Sequence, residues 1–231
     1  LQIYTTVDPD LQEAMEQVME DSYTSYFSMP AVETQARVYN EDGTPAVDEN
    51  GDPVYETVWE TPQAAMVSVD YEGRLRAVVG GVGEKEISRG LNRATGAARQ
   101  VGSTMKPIGA YVLALQNDKI TWSTPFLDEP VMQVEDESTG EMRDWPANVT
   151  QTYTGKNILV SDALAESVNT VAVRVGMEAG IRNIYNFVTK QLHITTLTKD
   201  DVDAGPMVLG SSTHGITPYE LAGAYMIFGS G

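Results

Sequence analysis

Cysteine is absent from this chain, and only His193 and His214 offer imidazole nitrogens. That removes disulfide frameworks, zinc ribbons, iron–sulfur clusters and cysteine nucleophiles, and it argues against a histidine-based metal cage. A stable fold must then rest on buried apolar surface, and the length permits one. A chain of 231 residues, 42% hydrophobic, reads as one domain or slightly more. Such a chain can hide about 70% of its unfolded surface. No run approaches the roughly 18 apolar residues of a membrane span. The start, Leu1-Gln-Ile-Tyr-Thr-Thr6, lacks the basic-then-apolar order of a signal peptide. The end, Met226-Ile-Phe-Gly-Ser-Gly231, stops just after an apolar helical pattern. Both ends read as a piece of a longer protein.

The formal net charge is −18 and the isoelectric point is about 4.3, which argues against a general nucleic-acid binder. The acid is clustered. Residues 8–21 hold six acidic side chains and no basic one, 33–60 hold eight against Arg37, 128–144 hold seven against Arg143, and 200–203 add three. Residues 87–107 are the reverse, with Arg89, Arg93, Arg99 and Lys106 and no acid. Such a belt either receives an anion or simply balances acidic neighbours.

Periodicity places the elements coarsely. Asp8-Pro9 suits the N-cap and first position of an amphipathic helix through Leu11, Met15, Val18 and Met19. Residues 35–60 predict an inserted surface hairpin, with strand-like runs 36–39 and 54–59 around turn signals at Asp42-Gly43 and Asn50-Gly51. Residues 64–70 and 74–79 predict an antiparallel hairpin across Tyr71-Glu72-Gly73, the first strand central because parts of it are apolar on both alternations. Helices are predicted over 103–116, 161–175 and 181–192. A fourth opens at the capping box Thr217-Pro218-Tyr-Glu220. Strands beside several helices make an α+β domain.

Chemistry concentrates at Gly102-Ser103-Thr104-Met105-Lys106-Pro107. Residues three apart on a helix share a face, about 5–6 Å apart at Cβ. A serine hydroxyl needs a base, and lysine serves as one only when burial or a nearby positive potential lowers its pKa. Pro107 fits a first helical turn, and Gly102 permits a sharp turn before Ser103. A free N–H at the head of that helix offers a donor to an oxyanion. Of six lysines only Lys106 follows a serine at this spacing, yet Ser-x-x-Lys alone reads more readily as a helix cap beside a solvated lysine. The chain holds one Ser-x-Asn, Ser167-Val168-Asn169, on or at the edge of the 161–175 helix. Its hydroxyl can relay a proton, and its amide can satisfy Lys106 or hold a substrate amide.

This ordered pair resembles the penicillin-binding proteins and their β-lactamase relatives, whose motif set is Ser-x-x-Lys, Ser-Asp-Asn and Lys-Thr-Gly. The likeness is wider than the motifs. Ile3-Tyr-Thr-Thr-Val-Asp-Pro-Asp-Leu-Gln12 resembles the segment joining the glycosyltransferase and transpeptidase parts of class A, bifunctional members. The nucleophile region (Asn92 to Pro107), the second-motif helix (Asp162 to Arg174) and Gly215-Ile-Thr-Pro-Tyr-Glu-Leu-Ala-Gly-Ala-Tyr225 resemble theirs in order, with 35–60 least matched. Ser-Val-Asn departs from the β-lactamase form and fits class A better. No Lys-Thr-Gly or Lys-Ser-Gly occurs in the 231 residues.

The resemblance implies a serine β-lactamase/penicillin-binding transpeptidase-like fold, an antiparallel sheet flanked by helices with a mainly helical subdomain. It implies a linker helix and inserted hairpin over 1–62, then the first two-thirds of a transpeptidase domain over 63–231, with the third motif on a segment beyond. By the same resemblance Ser103 attacks a D-Ala-D-Ala stem peptide of peptidoglycan, Lys106 takes its proton, Ser167 relays a proton to the leaving amine and Asn169 orients Lys106 and the substrate amide. β-Lactams would acylate Ser103. No metal or cofactor is implied, and the basic belt favours approach of the stem-peptide carboxylate. The expected setting is the outer face of a bacterial cell membrane, with an anchor and a glycosyltransferase upstream. The alternatives are a β-lactamase or β-lactam sensor on the same fold, or a non-catalytic module.

Overall fold

The structure, a computed structural model, describes residues 2–21, 31–40, 42–60, 62–83, 88–136 and 138–230. Its N-terminal part is built along one hairpin. β3 (Met66–Val69) pairs antiparallel with β4 (Leu75–Val79), with a register shift at Ser68/Val69. Residues 6–12 run along the outer edge of β4. The Thr6 hydroxyl donates to Leu75 O at 2.7 Å and Asp8 N donates to Arg76 O at 2.8 Å. The Gln12 amide then bonds Val78 twice, accepting from its N–H at 2.8 Å and donating to its carbonyl at 3.0 Å. Edge groups of β4 that would otherwise face water are thereby matched. Asp8 also accepts from Leu11 N, capping α1 (Pro9–Asp21) as the sequence predicts. Met15 and Met19 bury the inner stripe of that helix.

Among the described residues β3 has β4 as its only strand partner, so the expected central position is not realised here. β3 packs against α7 (Pro218–Tyr225), opened by the predicted capping box, with Thr217 and Glu220 bonding each other's backbone N–H. β1 (Val32–Arg37) and β2 (Tyr55–Glu60) form a separate antiparallel pair with full register from Val32↔Glu60 to Arg37↔Tyr55.

The main core is helical. A continuous helical run begins with a tight turn at Gly102–Thr104, passes through a widened turn at Pro107–Tyr111 and ends in α3 (Val112–Gln116). It packs against α5 (Asn169–Ala179), α6 (Ile181–Lys190) and a second widened turn at Gly205–Leu209. Met105, Ile108, Tyr111, Val171, Val173, Val175, Ile184, Val188, Met207 and Val208 interlock there, each at most 1% exposed. α5 is valine-rich and buried nearly all round, so packing overrides the modest helix propensity of β-branched residues.

The sequence predicts one helix over 161–175. The structure instead has α4 (Val160–Ala165), a turn at Glu166–Ser167, and α5. Ser167 takes a left-handed φ of 57°, which no helix continues through. Four short strands also appear between residues 125 and 159, a stretch to which the sequence reading assigns no elements. β5 (Pro125–Leu127) pairs with β8 (Asn157–Leu159), and β6 (Met132–Glu135) with β7 (Met142–Trp145). Runs of three or four residues are too short to show a period of two.

Gly109 is where the core is tightest. A Cβ there would sit on the carbonyl oxygen of Met207, a backbone atom that cannot swing aside. Gly109→Ala is expected to lower the unfolding free energy by about 2–3 kcal/mol, read as a shift in the denaturant midpoint at unchanged slope.

Candidate active site

The nucleophile turn is set by backbone contacts before any side chain acts. Gly102 has φ +56°, and Gly210, at φ +72°, lies so close that a Cβ on it would strike Gly102 backbone atoms. Gly102 N donates to Gly210 O at 3.4 Å. The Tyr225 hydroxyl of α7 donates to Thr104 O at 2.5 Å, holding the same turn from the other side. Ser103 lies on this turn with an exposed side chain, and Lys106, one turn on, is 1% exposed.

The Lys106 ammonium has three N–H donors and three acceptors. It donates to Ser167 O at 2.6 Å, Ser167 Oγ at 2.9 Å and Asn169 Oδ1 at 2.5 Å. The left-handed backbone at Ser167 turns its carbonyl and hydroxyl toward the same nitrogen, and α5 starts two residues later with Asn169 facing it. Burial holds the Lys106 pKa down to about 8. At pH 7 about a tenth of such a lysine is neutral and able to accept a proton.

Of the four residues singled out in the sequence, the structure joins Lys106, Ser167 and Asn169 directly. Ser103 stands one turn away on the same helical run and is not a hydrogen-bond partner of Lys106. The basic belt does not form one patch. Lys106 is buried, while Arg93 and Arg99 line a separate cleft of about 600 Å³ with Pro62, Leu91, Ile216 and Leu221. Ser103 and Lys106 are not among the residues lining that cleft.

Sequence reading missed the residues behind Asn169. The Asn169 amide donates to Ala147 O at 2.6 Å, and its backbone N–H donates to Asn148 Oδ1 at 3.0 Å. Asn148 in turn donates to Asp128, which is 2% exposed. Burial alone would raise the Asp128 pKa, but bonds from Thr170, Thr154 and Asn148 outweigh it and hold the carboxyl below its ordinary value. The only sequence signal was one acid, Asp128, opening an acidic run that reads as solvated loop. Among the described residues no group of three or more His, Asp or Glu side chains is arranged to hold a metal ion. No described helix is long and apolar enough to cross a membrane.

The fold has known counterparts. The crystal structure of penicillin-binding protein 1A from Haemophilus influenzae matches with a TM-score of 0.68 at 19% identity, over 98% of this chain and 42% of that one. The architecture is therefore the mixed helix-and-sheet fold of penicillin-binding transpeptidases. Residues 64–231 match the family described as penicillin binding protein transpeptidase domain, and the chain belongs to that family. Penicillin-binding protein 1A of Clostridium botulinum (strain Langeland) is 29% identical over 235 residues, covering 100% of this chain and 25% of the relative. Penicillin-binding protein 1B of Haemophilus influenzae is 34% identical over 166 residues, 71% of this chain and 20% of the relative. The chain thus spans about a quarter of the length of such relatives.

The depressed Lys106 pKa fixes a sign. Between pH 8 and 10.5 the unfolded chain holds a proton on this lysine that the folded chain has released, so stability rises with pH there. Measured against Lys106→Met, the wild-type unfolding free energy is expected to gain about 2 kcal/mol from pH 7 to pH 10. Denaturant titrations at the two pH values check this, and a constant difference would place the Lys106 pKa at its ordinary value.

Proposed function

We propose that the chain is the nucleophile-bearing part of a peptidoglycan D,D-transpeptidase, working through a serine acyl-enzyme. The observation that carries this is a buried lysine of lowered pKa, bonded by Ser167 and Asn169 and one helical turn from an exposed serine, in a domain of the penicillin-binding transpeptidase family. Residues 1–62 read as linker helix and inserted hairpin, and 63–231 as the first two-thirds of the transpeptidase domain.

In this reading Ser103 Oγ attacks the penultimate D-Ala carbonyl of a stem peptide while neutral Lys106 takes its proton. The Ser103 N–H, at the head of the helical run, helps hold the oxyanion. As the carbon–nitrogen bond breaks, the proton passes from Lys106 through Ser167 Oγ, 2.9 Å away, to the departing D-Ala amine. Asn169 keeps Lys106 in place and offers its amide to the substrate. An amine from a neighbouring stem then attacks the ester, forms the cross-link and returns the proton to Ser103. A β-lactam enters as a substrate mimic and leaves Ser103 acylated. Family likeness supplies the setting: an anchor and a glycosyltransferase earlier in the parent chain, a third motif later, and a site outside the cell membrane.

In the full-length protein, Ser103→Ala is expected to abolish covalent labelling by a fluorescent penicillin, and persistent labelling would overturn the assignment. The second-order rate of acylation should rise about tenfold from pH 6 to pH 7 and level above about pH 8, because only the neutral lysine acts as base. A flat profile across that range would remove Lys106 from the role.

A further inference from the structure

Asn169 can face Lys106 with an oxygen or with an amino group, and only the oxygen accepts from an ammonium. What decides between them lies one layer behind. α5 has no side-chain cap of its own, since Val168 holds the N-cap position. Asn148, from a different segment, supplies the cap: its Oδ1 accepts from Asn169 N at 3.0 Å and from Thr170 N at 3.5 Å. Its amino group donates to Asp128 Oδ1 at 2.8 Å and to Thr152 O at 3.1 Å. The preceding residue provides Ala147 O, which accepts from the Asn169 amino group at 2.6 Å.

Direction in this network is set by groups that only accept. A carboxylate forces the Asn148 amino group toward itself, so the Asn148 oxygen must face α5. A peptide carbonyl likewise claims the Asn169 amino group, so the Asn169 oxygen must face Lys106. Asp128 is held rigidly for the purpose. Its Oδ1 also accepts from Thr170 Oγ1 at 2.6 Å and its Oδ2 from Thr154 N at 2.8 Å. Arg174 of α5 donates to Leu127 O, Glu129 O and Pro130 O, gripping the backbone on both sides of Asp128. Asp128, Asn148 and Thr170 are 2%, 7% and 0% exposed, so water is poorly placed to replace a lost partner.

We propose that Asp128 is a positioning residue of this site: acting through Asn148, it fixes the 147–148 backbone and the first turn of α5 so that Asn169 presents its oxygen to Lys106. The consequence for acyl transfer rests on the function proposed above, but the geometry is testable without substrate. An asparagine at 128 must set an amino group against either Thr154 N–H or the Asn148 amino group; the second breaks the link to the α5 cap outright, and the first loosens it by pushing the 128 side chain off Thr154. Lys106 then loses an acceptor, and its charged form becomes costlier to hold.

The test is the titration of Lys106 by lysine Cε NMR shifts in the folded full-length protein, its signal assigned by its loss in Lys106→Gln. Asp128→Asn is expected to lower the Lys106 midpoint by about one pH unit. The exchange Asp128→Asn with Asn148→Asp restores one donor against one acceptor and should recover at least half of that shift. Thr170→Val removes an equally buried bond to Asp128 but leaves the Asn148 link, so it should cost stability with the midpoint held within a few tenths of a unit. An unchanged midpoint in Asp128→Asn overturns the proposal. Should that variant not fold, Asn148→Ala deletes the link alone, is expected to lower the midpoint similarly, and overturns the proposal if it does not. Penicillin labelling of Ser103 is scored separately. A shifted midpoint without labelling removes the acyl-transfer reading and keeps the positioning role, whereas labelling with an unshifted midpoint removes only the positioning role.

Discussion

A charged nitrogen in an apolar interior is the constraint around which this domain is arranged. Lys106 is 1% exposed on the helical run that also buries Met105 and Ile108 in the core, and an unpartnered ammonium buried this way would cost several kcal/mol. Three acceptors must be brought to it: two come from Ser167, in the break between α4 and α5, and the third from Asn169, which opens α5. That requirement accounts for the left-handed Ser167 and for α5 starting where it does. The bonds suffice to keep the lysine inside and do not fully offset its desolvation, so its pKa falls to about 8 instead of returning to normal.

The pairing of Ser103-x-x-Lys106 with Ser167-x-Asn169 was legible in the sequence because each motif is short and its spacing is local. The capping box at Thr217–Glu220 and the Asp8-Pro9 helix start were legible for the same reason, since a cap needs only three or four neighbouring residues. What the sequence could not show was long-range. The Asp128–Asn148–Asn169 chain is built from links 20 and 21 residues long, with Thr170 reaching Asp128 across 42, and nothing local marks an aspartate that will be buried. The break at 166–168 was hidden for a different reason. Apolar residues on both sides keep the helical period, while the turn is imposed by the need to direct Ser167 O and Oγ at one nitrogen. Nor does charge counted along a chain tell which side chains end up inside: of the basic belt, Lys106 is buried while Arg93 and Arg99 line a cleft.

Carboxylates do structural work elsewhere by the same logic. Asp201, fully buried, accepts from the backbone and hydroxyl of both Thr198 and Thr213. Glu220 does so for Thr195 and Thr217. In a chain with 33 acidic residues, these few act as acceptor-only hubs that hold irregular segments where no ladder exists.

The strip of residues 6–12 along β4 has a mechanical meaning. Its bonds to Leu75, Arg76 and Val78 follow one another in the same direction on both segments, so the two lie parallel. A pull on the N-terminal end along that strip would load these bonds together, in shear, instead of opening them one at a time. Residues 6 and 8 are thus coupled to the hairpin along its stiffest direction, and Gln12 ties the first turn of α1 to the same strand.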